Sequence, residues 1–189
     1  IDKRRSYDIV RENMALYNGK EIDLPVVMVK PKVKTADFAG VDLKNPLSTF
    51  STRFSEGQVL RSKNLRRIAE LLSGNEIKSG ETFSYNDRVG ERTKERGFFP
   101  APEIQNGQMK VGYGGGACQG STTLFNTALL ADMTDFDWSP HSQQSHYADP
   151  GRDAAVYYGQ IDMKFKNPHP YPVFLYATAT HGVLTMTLY

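Results

Sequence analysis

Residues 111–131 read Val111-Gly-Tyr-Gly-Gly-Gly-Ala-Cys-Gln-Gly-Ser-Thr-Thr-Leu-Phe-Asn-Thr-Ala-Leu-Leu-Ala131. Leu124, Thr127, Ala128 and Ala131 recur at helical spacing, so a helix is expected to begin within the Cys118–Thr123 segment. Three consecutive glycines, Gly114 to Gly116, precede it, and they let backbone approach a neighbour closely or adopt positive φ. Cys118 then falls at a helix N-terminus or within its first turn, where unpaired N–H groups and the helix dipole favour a thiolate. The same N–H groups suit an oxyanion formed when a carbonyl is attacked.

Outward from this stretch the chain alternates between short helices and many strands. Leu65, Ile68, Ala69 and Leu72 mark a helix stopped by Ser73-Gly74. Ala101 to Val111 reads as a hairpin around Asn106-Gly107, and Val173–Thr180 with Val183–Leu188 reads as a second around His181-Gly182. Ala155 to Lys166 alternates and is expected as a strand with one kink. Residues 1–50 are expected to be irregular. Arg4 to Tyr17 fits neither period, Leu24-Pro25-Val26-Val27-Met28-Val29 suggests one strand closed by Pro31, and residues 30–46 read as a linker. The expected class is α+β, a mixed or antiparallel sheet with a few helices, with a domain boundary near residue 48.

Composition narrows the chemistry. The chain has 189 residues, 39% of them hydrophobic, enough for one packed domain with a short appended segment. Twenty-three basic against 21 acidic residues, with no basic stripe, exclude an electrostatic nucleic-acid binder as the default reading. No apolar run reaches the length of a membrane span. One cysteine excludes an internal disulfide and a multi-thiolate zinc site. The chain begins at Ile1 rather than Met, which suggests a processed piece.

Gly115-x-x-x-x-Gly120-Ser121-Thr122 approaches a phosphate-binding loop, but Ser121 stands where the lysine belongs, which argues against a nucleotide. A cysteine nucleophile instead needs a base within reach. The segment Trp138-Ser-Pro-His141-Ser-Gln-Gln-Ser-His146-Tyr-Ala-Asp149-Pro-Gly-Arg152-Asp153 offers two histidines and two carboxylates, and Asp162 follows. Order Cys…His…Asp suits thiol acyl transfer. Polar loops are also rich in these residues, and Cys118, His141 and His146 could alternatively meet around a metal, although no His-x-x-x-His spacing supports one. No metal or other cofactor is expected.

Five spaced blocks carry a family resemblance. Gly80-Glu-Thr-Phe-Ser-Tyr-Asn-Asp-Arg-Val-Gly90 with its continuation to Phe98, Gly114 through Leu130, Pro140-His141-Ser142, Gly151-Arg152-Asp153-Ala154 and Tyr158 through Asn167 resemble, in order, the signatures of VanW domains. The resemblance covers about residues 49–189, and residues 1–48 resemble the tail of the peptidoglycan-binding module that often precedes this domain. It implies an exported, cysteine-dependent L,D-transpeptidase of peptidoglycan. In such an enzyme a tetrapeptide stem donates its third residue to the side-chain amine of an acceptor stem, giving a 3→3 cross-link.

Carried over by position, Cys118 is the implied nucleophile, His141 the base, and Asp153 or Asp162 the group that orients it. Backbone N–H groups of Gly116, Ala117 and Cys118 are the implied oxyanion donors. Arg92 and Arg152 are expected to pair with stem carboxylates, since guanidinium matches carboxylate bidentately. Gly115, Gly116, Gln119 and Ser121 are expected to border the substrate, with Tyr113, Trp138 and Tyr147 as groove walls. Two positions depart from the family pattern. Gly120 replaces a small aliphatic residue, and Ser139 stands where many members carry another histidine, which favours His141; His146 falls where members usually carry another residue and ranks lower. The expected site is extracellular or in the cell wall, anchored through a segment preceding Ile1. Two rivals remain at this stage: a non-catalytic wall-binding module, and an L,D-carboxypeptidase using the same thiol with water as acceptor.

Overall fold

The computed structural model describes residues 3–14, 21–26, 40–105 and 108–189, and it divides into two units, Ile1–Ala39 and Gly40–Tyr189. In the first, α1 (Lys3–Met14) corrects the expectation of irregular chain. Its apolar residues line no single buried stripe, since Tyr7 and Met14 stay exposed, and so periodicity alone missed it. Residues 24–26 of the expected strand have no regular structure, and residues 27–29 lie outside the described residues, as do residues 30–39 of the expected linker.

The second unit runs β1 (Ser48–Arg53), α2 (Val59–Leu72), β2 (Asn75–Ile77), β3 (Thr82–Ser84), α3 (Tyr85–Val89), β4 (Ala101–Gln105), β5 (Gln108–Gly112), α4 (Ala117–Leu130), β6 (Thr134–Asp137), β7 (Lys164–Lys166), β8 (Val173–Thr180) and β9 (Val183–Leu188). The pairings are antiparallel, in sheets ordered β1-β9-β8-β2, β3-β7-β6 and β4-β5. Helices and antiparallel sheets follow one another in mixed order, the α+β class expected.

The β8–β9 hairpin explains the four-stranded sheet. His181 and Gly182 both have positive φ, 50° and 72°, which is the two-residue turn whose twist matches the flanking strands. Leu175, Ala177 and Ala179 of β8 and Leu184, Met186 and Leu188 of β9 are buried, whereas Tyr176 and Thr180 are exposed. One face of the sheet is thus a core face. α2 packs against β8 through its buried stripe Leu65, Ile68, Ala69 and Leu72, and α4 packs against β1 and β9. Each fully buried aliphatic side chain of that stripe contributes roughly 1.5–3 kcal/mol.

β1 went unrecognised in the sequence because its inward residues are polar. Ser48 Oγ donates to Thr127 O at 2.7 Å, and the hydroxyls of Thr52 and Thr123 meet at 2.8 Å. α4 answers with a buried polar face of Gln119, Ser121, Thr122, Thr123, Asn126 and Thr127. The expected strand over 155–166 is also corrected. Only Lys164–Lys166 is strand, and residues 157–161 form a tight turn. Tyr157 and Ile161 exchange backbone hydrogen bonds at 2.8 Å across Gly159, whose φ is 77°. The apolar alternation there belonged to exposed residues, not to a sheet face. Of the expected hairpin over 101–111, the strands pair as β4 and β5, while Asn106-Gly107 lies outside the described residues.

Candidate functional site

α4 begins at Ala117 with Gly116 as its N-cap, at φ 105°, a conformation that a side chain would strain. A Cβ at Gly115 would come within 2.6 Å of Ala101 Cβ, so this glycine permits the close approach of the chain to β4. Cys118 therefore sits in the first turn of α4, half-buried, with its thiol 3.5 Å from the Val156 carbonyl as donor. The Ala117 N–H is already bonded to Gly114 O at 2.8 Å, which removes it from the expected oxyanion donors. A cavity of about 730 Å³ opens over the thiol, bordered among others by Arg61, Arg92, Glu103, His141 and Tyr147.

Asp153 is buried, and Oδ2 accepts both the His141 backbone N–H at 2.7 Å and ring Nδ1 at 2.5 Å. The second bond fixes the tautomer and leaves Nε2 for other work. Tyr147 Oη lies 3.5 Å from Nε2. Burial works against protonation of the imidazole, but the Cys118 sulfur and the Asp153 carboxylate outweigh it, and the pKa of His141 is raised above its usual 6.5. Asp153 is pushed up by its own desolvation, but the hydrogen bonds and charge of His141 hold its pKa below the ordinary value. Imidazole and carboxylate form a bonded pair, and the imidazole borders the same cavity as the thiol.

A fourth member was not legible in the sequence. Arg61, on α2, extends beside Gly116, and its Nη2 donates to Gln119 Oε1 at 2.6 Å. Gln119 is buried and held by donation from Nε2 to Thr52 Oγ1 and to Arg53 O, both 2.9 Å. Burial lowers the Arg61 pKa, opposed by the Tyr147 and Cys118 groups it faces. The sequence trace of this arrangement is an arginine next to two polar residues, Ser62 and Asn64, that are buried at the start of a helix whose later buried positions are apolar.

Residues 60–189 match the family model described as "VanW like protein". The chain belongs to this family. It is 34% identical over 169 residues to the uncharacterized protein YoaR of Bacillus subtilis, covering 89% of this chain and 55% of YoaR. It is 32% identical over 131 residues to the vancomycin B-type resistance protein VanW of Enterococcus faecalis, covering 66% of this chain and 46% of VanW. The chain thus spans about half the length of these curated relatives. No solved structure matches it.

The remaining expected site residues of this VanW-like domain fall in different places. Arg92 and Tyr113 border the Cys118 cavity, as does exposed His146. Ser121 does not border the cavity: it is fully buried, and its hydroxyl lies 3.0 Å from Cys118 O and 2.6 Å from Ala154 O as donor. Asp162 is turned to α3 instead, accepting from Ser84 Oγ at 2.6 Å, Asn86 N at 2.9 Å and Met163 N at 2.8 Å. Arg152 lies outside the cavity, with Nε on Asn126 Oδ1 at 2.9 Å and its guanidinium over Phe50. Trp138 packs against Phe125, ring centroids 4.7 Å apart, as part of the core margin rather than a groove wall. Gly120 accounts for one departure from the family pattern. A Cβ there would lie 2.9 Å from Ile68 Cγ2 and would collide with the Tyr85 hydroxyl, which donates to Ala117 O at 3.0 Å. Among the described residues no three His, Cys, Asp or Glu side chains converge as a metal ion would need. No helix among them is long and apolar enough to cross a membrane.

Proposed function

We propose that this VanW-like domain is a cysteine acyltransferase of peptidoglycan, an L,D-transpeptidase, working on the exported side of the cell. One observation carries the reading: a single imidazole, bound at Nδ1 to buried Asp153, borders the same cavity as the Cys118 thiol, whose sulfur helps to raise its pKa. Membership of the VanW family supports a cell-wall substrate. Residues 1–48 fit the same reading as the tail of a wall-binding module.

His141 takes the thiol proton, and the Cys118 sulfur attacks the carbonyl of the third stem residue. The imidazolium returns that proton to the nitrogen of the terminal D-alanine as the C–N bond breaks, leaving a thioester. The neutral amine of a second stem then attacks the thioester, His141 takes its proton, and the thiol is regenerated. Backbone N–H groups of Gly116 and Cys118 are the candidate donors to the oxyanion in both steps. The raised pKa of His141 suits the step in which it must act as an acid.

Mass spectrometry of products from a disaccharide-tetrapeptide tests the reading. Dimers joined between third residues, with free D-alanine, are expected, and a thiol-blocking reagent should abolish them. Tripeptide and D-alanine without dimer would replace transfer by hydrolysis. Binding without any product would leave a wall-binding module.

A further inference from the structure

Two opposite charges face the Cys118 cavity without meeting each other. Arg92 and Glu103 both border it, and the guanidinium is near enough to lower the pKa of Glu103, yet the two form no ion pair. Each is anchored elsewhere. Arg92 Nη1 donates to Asn86 Oδ1 at 2.7 Å, and Asn86 is itself held by Asp162 and by Ile161 O. The Glu103 carboxylate lies against Gly114, where a Cβ would come 2.5 Å from Oε2, so the glycine makes room for it.

What remains of Arg92 is unsatisfied. Nε and Nη2 are buried and make no hydrogen bond, and these two nitrogens form the edge of the guanidinium that grips a carboxylate bidentately. A charged donor pair shielded from water and left without an acceptor calls for an occupant. Buried Tyr85 lies 5.5 Å from the guanidinium, and half-exposed Tyr158 lies 6.0 Å from it, so Tyr158 is the side chain able to swing aside. Glu103 is the counterpart: burial raises its pKa, and an ammonium beside it would reverse that cost. Through Tyr85, whose hydroxyl donates to Ala117 O, and through Gly114, both charges abut the junction that carries Cys118.

We propose that the cavity holds an amino-acid zwitterion, one carbon bearing both carboxylate and ammonium, with the carboxylate on the Nε–Nη2 edge of Arg92 and the ammonium at Glu103. This rests on the reading of the domain as a transpeptidase for the identity of the ligand. In a stem peptide that group is the side-chain end of a diamino dicarboxylic acid, and a lysine side chain lacks its carboxylate. The ammonium would give one proton to Glu103 beside the thioester, and His141 would take a second as the resulting neutral amine attacks and the Cys118 sulfur leaves.

Calorimetric titration of Cys118→Ala protein, which cannot turn over, tests this with three disaccharide-tripeptides. They carry meso-diaminopimelate, its side-chain carboxamide, or L-lysine at the third position. The diaminopimelate stem should bind at least tenfold more tightly than either of the others. Arg92→Gln should remove the distinction between carboxylate and carboxamide, and Glu103→Gln should weaken the diaminopimelate and lysine stems alike. Arg92→Lys, which keeps the charge and loses the fork, should also lose most of the preference, and it serves if the glutamine variant fails to fold. Equal affinities, a preference that survives at Arg92→Gln, or no binding of any stem would overturn the inference. Product analysis of the wild-type protein is a separate readout. Dimers without stem discrimination would sink the zwitterion site and keep the transferase. Discrimination without products would do the reverse.

Discussion

Asp153 Oδ2 accepts two hydrogens from His141, the backbone N–H and ring Nδ1–H. A carboxylate that grips both the main chain and the ring of one residue fixes the ring's tautomer and its direction together. Nε2 is thereby aimed at the Tyr147 hydroxyl.

Replacing this acceptor should show in the pH profile. His141 acts as a base only when neutral, and its raised pKa places the acid limb of kcat/KM above about 6.5. Asp153→Asn removes one source of that rise, so the limb should move to lower pH while the plateau falls, on the order of 10²–10⁴-fold. An acid limb that stays in place would detach Asp153 from His141 function.

Cys118→Ala and His141→Ala should each abolish product formation, whereas exposed His146→Ala should change turnover by less than about tenfold, the loss of a peripheral contact. Comparing the three rates decides it. Equal losses at positions 141 and 146 would point to a shared proton relay.

Arg61→Gln should slow iodoacetamide alkylation of Cys118 at neutral pH by roughly tenfold, about 1.4 kcal/mol, since it removes the cation that faces the sulfur where the reacting negative charge must form. Gln119→Leu should act in the same direction by releasing Arg61. Unchanged alkylation with unchanged melting would make Arg61 a bystander.

Asp162→Ala should cost about 1–3 kcal/mol of stability and lower the rate per folded molecule far less than Asp153→Asn does, because its three partners belong to α3 and the chain beside it and it reaches the cavity only through Asn86 and Arg92. Denaturant unfolding and kcat on the same preparation separate the two effects. A lost rate at normal stability would return Asp162 to the site.

Gly120→Ala should destabilise by about 1–3 kcal/mol, because the added methyl must displace Ile68 or the Tyr85 hydroxyl. Pairing it with Tyr85→Phe should recover part of the loss. Thermal melting of the two single variants and the double variant measures the recovery.

Local pattern made much of the fold legible. The α2 and α4 periodicities, the β8–β9 hairpin and the helix start at Cys118 all follow from neighbours within a few residues. β1 escaped because its inward positions, Ser48 and Thr52, are hydroxyls that satisfy one another against α4, so no apolar alternation advertised burial. The turn at 157–161 misled for the opposite reason: apolar residues alternate there while pointing to solvent.

The sequence by itself determined the α+β class, the glycine-rich approach to a helix that begins with a thiol, and the blocks that assign the chain to its family. Tertiary structure alone chose between Asp153 and Asp162, which stand 12 and 21 residues beyond His141 and look equally able to orient it. It alone brought Arg61 from α2 to Gln119 on α4, 58 positions away in the chain, and turned Arg152 and Trp138 away from the cavity. Periodicity and turn chemistry act over a few bonds and leave their mark on adjacent residues. The partner of a buried polar group is set by which elements pack together, and that is decided by the core as a whole.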